Sequence, residues 1–75
     1  DFMINPDSYL DNRLIKEVTW PTHCLIVSLR RDGQEFIPHG ETYLKASDVI
    51  IIMCDKTNES YVYDTISTLT TKQYK

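Results

Sequence analysis

The chain has 75 residues, 41% of them hydrophobic and 25% charged, with a formal net charge of −3. That length allows one domain, residues 1–75, and a thin core, because so short a chain buries only about 60% of its unfolded surface. The ordinary composition argues against disorder, and the acidic balance against a nucleic-acid partner, whose phosphates demand a basic field.

No apolar run approaches the roughly 18 residues of a membrane helix, so direct membrane insertion is not expected. The chain begins at Asp1 rather than methionine, which reads as a piece of a longer protein. Cys24 and Cys54 each sit in a strand-like apolar run without metal-ligand spacing. They read as small buried hydrophobes, with a disulfide or metal pair as the alternative.

In chain order, Phe2-Met3-Ile4 predicts a brief strand, stopped by the turn signal Asn5-Pro6-Asp7. Leu10, Leu14, Ile15 and Val18 fall at helical spacing and predict a two-turn helix ended by Trp20-Pro21. Residues Cys24–Arg30 predict a strand leading into Asp32-Gly33, a pair suited to a type I′ hairpin. That turn sets Arg30 opposite Glu35, Leu29 opposite Phe36, and Ser28 opposite Ile37, the first two pairs contributing about 0.2–1 kcal/mol each. It also sorts two faces. Leu25, Val27, Leu29 and Phe36 point to the expected core, while Ile26, Ser28, Arg30 and Ile37 form a second, half-apolar face.

Pro38-His39-Gly40 breaks the hairpin, Thr42 to Leu44 predicts a short extended piece, and Ala46-Ser47-Asp48 a turn. Val49–Cys54 is apolar on both faces and predicts a central strand, with Asp48, Asp55 and Lys56 as flanking gatekeepers. From about Asn58 to Thr71, Val62, Ile66 and Leu69 keep helical spacing, with Thr57 or Asn58 as cap. The expected class is α+β: a small β-rich domain of about four strands, closed by a C-terminal helix.

The order of these pieces resembles one family. Ile15-Lys16-Glu17-Val18, Trp20-Pro21, the run Cys24–Gly33, Phe36-Ile37-Pro38-His39-Gly40-Glu41-Thr42, Leu44-Lys45-Ala46-Ser47-Asp48 and Val49–Ile52 resemble the TrkA-C (RCK_C) domain. Ser47 departs from the glycine usual there. The Trp20-Pro21 spelling further resembles TrkA-C domains joined to CLC-type chloride channels or antiporters.

The resemblance implies a regulatory domain of an ion channel or transporter for chloride, potassium or other cations. Such domains lie on the cytoplasmic side of the membrane, attached to a transporter and paired as homodimers. Some family members bind cyclic di-AMP between protomers, and the matching positions here are Ile26, Arg30, Ile37 and His39. Arginine suits phosphate and isoleucine suits a base plane. The alternatives are a dimer surface without ligand, or an Arg30–Glu35 pair on a solvated face. His23 and His39 lack companions at metal-ligand spacing, so no metal site is expected. With two glycines, no phosphate loop and no defensible triad, no catalytic residue and no enzyme activity are expected.

Overall fold

The computed structural model describes residues 1–72; residues 73–75 of the expected domain lie outside the described residues. Among the described residues six strands appear, β1 (Phe2–Met3), β2 (Arg13–Leu14), β3 (Cys24–Arg31), β4 (Gln34–Phe36), β5 (Tyr43–Leu44) and β6 (Val49–Cys54). The helix α1 (Glu59–Thr71) follows them, and short 3-10 turns span Ile15–Glu17 and Lys56–Asn58. Four strands form an antiparallel sheet in the order β1-β6-β3-β4, and β2 pairs with β5 as a separate ribbon. The α+β class and the C-terminal helix agree with the sequence reading. Val62, Ile66 and Thr70 of α1 are buried, and the core joins Ile4, Leu10, Val18, Leu29, Leu44, Ile50, Val62 and Ile66.

The hairpin forms as its turn residues dictate. Asp32 and Gly33 both adopt positive φ, 53° and 77°, as a type I′ turn requires. The predicted pairs Leu29–Phe36 and Arg30–Glu35 are present. The third is not. β4 stops at Phe36, and Pro38, just beyond, has no N–H to extend the ladder. Ser28 instead lies opposite Ile51 on the other neighbouring strand and donates its hydroxyl to Glu35 Oε2 at 3.0 Å.

The face assignment needs correction because β3 carries a bulge. Cys24, Leu25 and Ile26 lie opposite Cys54, Met53 and Ile52, whereas Ser28, Leu29 and Arg30 lie opposite Ile51, Ile50 and Val49. Val27 is the extra residue, and alternation changes phase there. Cys24, Ile26 and Leu29 therefore share the core face with Ile50, Ile52 and Cys54. Leu25, assigned to the core by simple alternation, is 64% exposed on the outer face with Ser28 and Arg30.

The helix predicted from Leu10 to Val18 is also absent. Asp7 and Asn12 take positive φ, 63° and 68°, which a right-handed helix excludes. Long-range bonds replace the helical ones: the Asn12 amide donates to Leu44 O at 2.7 Å, and Arg13 pairs with Leu44. The Asp11 carboxylate accepts from the amides of Asp7 (2.9 Å) and Ala46 (3.0 Å). Two helical turns are marginal alone, and these tertiary bonds outweigh them. Leu10 and Val18 are buried as the periodicity suggested, but from a loop and a turn rather than one helical face.

Asp48 is not a solvated gatekeeper. It is 2% exposed and accepts from Arg31 Nε (2.9 Å), Arg31 Nη2 (2.6 Å) and the Lys45 amide (2.9 Å). Arg31 Nη2 also donates to Tyr43 O at 2.8 Å. The hydrogen bond to Asp48 raises the Arg31 pKa further above its ordinary value. One arginine thus ties the hairpin, β5 and the start of β6 together.

Beside it, Ser47 has φ 74°, the left-handed conformation that glycine adopts without steric cost. Its amide donates to Ile4 O at 2.8 Å, a bond any residue except proline retains. A Ser47→Gly variant is expected to gain about 0.5–1 kcal/mol, the relief of strain exceeding the added chain entropy. Urea unfolding checks this: the midpoint should rise at constant slope, and a lower midpoint contradicts the strain argument.

Candidate functional site

A pocket of about 270 Å³ opens where the start of β3 faces the loop after the hairpin. Ile15, Trp20, Cys24, Leu25 and Ile26 line one side, and Pro38, His39 and Gly40 the other. The walls are held by specific bonds. Trp20 Nε1 donates to Ile15 O at 3.0 Å, fixing the indole, and Pro21 follows immediately to turn the chain into β3. The Lys16 amide donates to Gly40 O at 3.1 Å. A Cβ on Gly40 would stand 3.3 Å from Lys16 Cβ, so the close approach of these two segments favours glycine.

His39 is set by its own loop. Its Nδ1 accepts from the Glu41 amide at 3.2 Å, leaving Nε2 as the ring nitrogen available to donate. The His39 amide donates to Thr42 Oγ1 at 3.1 Å, and the Thr42 amide returns a bond to His39 O at 3.0 Å. No carboxylate lines the pocket. Cys24 is its one thiol, with a pKa raised first by burial and then by the neighbouring Cys54. The lining is mostly apolar, with the His39 ring as its polar side chain.

Of the four residues singled out from sequence, Ile26 and His39 come together at this pocket. Arg30 and Ile37 do not line it. Arg30 stands on the outer face of the hairpin, its Nη2 3.6 Å from Glu35 Oε1, and Ile37 is 80% exposed between β4 and the pocket rim. Sequence reasoning missed Ile15, Trp20, Cys24, Pro38 and Gly40 as pocket walls. The dipeptide Trp20-Pro21 and the glycine two residues after Pro38 were the available signals.

The outer sheet face is a second feature. Met3, Leu25 and Met53 are exposed there, with Val49 and Ile51 half-buried among them, and Ser28 and Arg30 at one end. Helix α1 covers only the opposite face. Among the described residues no group of three or more His, Cys, Asp or Glu side chains is placed to hold a metal ion.

Comparison with known proteins assigns this architecture. The family model for the TrkA-C domain matches residues 1–67. The chain belongs to the TrkA-C family. Relatives of this TrkA-C domain include the Trk system potassium uptake protein TrkA homolog 2 of Methanosarcina mazei, 26% identical over 53 residues. TrkA homolog 1 of Methanosarcina mazei is 28% identical, also over 53 residues. Each match covers 71% of this chain but only 12% and 13% of the two relatives, so the chain spans about one eighth of their length. A solved structure described as "Structure of RCK domain with cda" shares the fold, with TM-score 0.67 and 21% identity. The match covers 84% of this chain and 87% of that one. Among the described residues, no helix of this TrkA-C domain is long and apolar enough to cross a membrane.

Proposed function

We propose that this TrkA-C domain is a ligand-sensing regulatory module of a transporter or channel for potassium or another cation. In this reading it acts on the cytoplasmic side of the membrane as a homodimer. The observation that carries it is the family match across residues 1–67, on a fold whose one sheet face is open and apolar. The relatives are potassium-uptake proteins, which favours cations. Attachment to a CLC-type chloride protein rests on Trp20-Pro21 alone.

Two copies meeting through Leu25, Ile51 and Met53 bury apolar surface that a small domain leaves uncovered. Ile26, on the half-apolar face by simple alternation, is not part of this surface, because the Val27 bulge turns it inward. The ligand is cyclic di-AMP, our reading of the "cda" carried by the solved relative. Ile26 and His39 of one protomer contact a base in the pocket, Ile37 extends the apolar rim, and Arg30, on the other sheet face, releases Glu35 to meet a phosphate of a ligand held by the second copy. Binding favours one dimer geometry and biases the attached gate by population shift. This is a binding module, and no residue is assigned a catalytic role.

Calorimetric titration with cyclic di-AMP, alongside sedimentation at several concentrations, tests the reading. The expected result is a dimer that binds the nucleotide, with affinity falling tenfold or more, on the order of 1.5–3 kcal/mol, in Arg30→Ala. A dimer giving no heat and no thermal shift removes the ligand and leaves the second reading, a structural dimerisation module. A strict monomer removes both.

A further inference from the structure

Cys24 opens β3 and Cys54 closes β6, and the antiparallel register sets them directly opposite each other. Directly opposed residues in such a ladder have Cα atoms roughly 4.5–5.5 Å apart, inside the span of about 4.4–6.8 Å that a disulfide bridges. Both side chains point to the same face of the sheet, where both pack against the core from half-buried positions. The strand ends are held together one step further out as well, where His23 Nδ1 lies 3.4 Å from Asp55 Oδ2. An open groove of about 300 Å³ is lined by His23, Cys24, Leu25, Met53, Cys54 and Asp55, so both cysteines border it. Both cysteines are free.

We propose that Cys24 and Cys54 are a redox pair that closes reversibly into a cross-strand disulfide, a modification site at the edge of the Trp20–His39 pocket. The oxidant is a small soluble disulfide entering the groove. Cys24 Sγ donates to Pro21 O at 3.1 Å, which keeps its proton in place, so Cys54 reacts first. The Cys54 thiolate attacks one sulfur of the small disulfide, whose S–S bond breaks and expels one thiolate. Cys24 then gives up its proton and attacks Cys54 Sγ, expelling the second thiolate. Two protein thiols are oxidised, one small disulfide is reduced to two thiols, and the two protons go to them. Closure takes Cys24 Sγ from Pro21 O, the residue that turns the chain from Trp20 into β3. Oxidation therefore reshapes the same wall that Trp20 and Ile26 build, whether or not a nucleotide is the ligand.

The test treats the folded chain with oxidised glutathione and maps its peptides by mass spectrometry. The expected product has lost two hydrogens, carries Cys24 and Cys54 in one linked pair of peptides, and has no alkylatable thiol. Dithiothreitol restores both thiols, and a thermal melt of the oxidised form lies above that of the reduced form. Cys24→Ser should stop at the mixed disulfide on Cys54. If the unmodified sequence also stops there, keeps both thiols alkylatable, or links two chains instead, the proposal is overturned. Mapping the unmodified chain decides the matter even if the variant fails to fold.

Discussion

An Asp48→Ala variant is expected to lose about 3 kcal/mol of stability, the lower end of the cost of breaking a buried ion pair. Three hydrogen bonds are lost at once, those from Arg31 Nε, Arg31 Nη2 and the Lys45 amide, and only the bond from Arg31 Nη2 to Tyr43 O stays. The figure sits at the lower end because the Arg31 side chain is 33% exposed and can recover part of its solvation. Domains hold on the order of 0.05–0.15 kcal/mol per residue, so the loss is a large share of the total for this chain. Denaturant unfolding measures it directly. Asp48→Asn should fall between wild type and alanine, since an amide oxygen still serves the Lys45 amide but not the full guanidinium. Pairing Asp48→Ala with Arg31→Met should recover part of the loss, because the stranded cation goes with its partner. A loss below about 1 kcal/mol in the single variant would mean that Asp48 behaves as an ordinary surface carboxylate.

Ile50→Ala is expected to cost as much or more, about 3–4 kcal/mol. Ile50 is fully buried at the middle of the sheet, opposite Phe2 on one side and Leu29 on the other. Truncation removes methyl groups from a site bounded by two strands and by α1, where backbone pairing prevents collapse into the cavity. Ile50→Val should cost only about 0.5–1.5 kcal/mol. Met53, three residues along β6 and therefore on the outer face, gives the contrast. It is 61% exposed, so Met53→Ala should leave monomer stability within about 0.5 kcal/mol while weakening self-association. Thermal melts and sedimentation on the pair separate core packing from interface packing. Similar losses in both variants would contradict the two-faced sheet.

Much of the fold was legible because local chemistry and tertiary structure agree in most places. Asp32-Gly33 names its turn type, the turn sets the register, and two of three predicted pairs follow. Val49–Cys54 is apolar on both faces, and β6 is indeed an inner strand between β1 and β3, but only Ile50, Ile52 and Cys54 face the core while Val49, Ile51 and Met53 form the open outer face. The N-terminal helix was misread because periodicity records which residues are buried, not which backbone buries them. Leu10 and Val18 do reach the core, but the Asn12 amide bonds to Leu44 O and Arg13 lies opposite Leu44, more than thirty positions away, and no local pattern announces that.

The candidate site divides along the same line. His39 stood out in Pro38-His39-Gly40, and Ile26 in its strand. Their meeting with Trp20 and Ile15 depends on the approach of Lys16 to Gly40, which only the folded chain displays. Arg30 was placed with Ile26 by alternation, and the bulge parts them.

Val27 also bears on how strands of different length are to be compared. Remove that residue and the order becomes Cys24 in, Leu25 out, Ile26 in, Ser28 out, Leu29 in, Arg30 out, with every remaining partner unchanged. Loss of a residue from either half of β3, away from the bulge, would leave neighbouring side chains out of phase with their partners. Variation in strand length is therefore tolerated at one position, and a relative shorter by a single residue here is to be aligned with its gap at Val27.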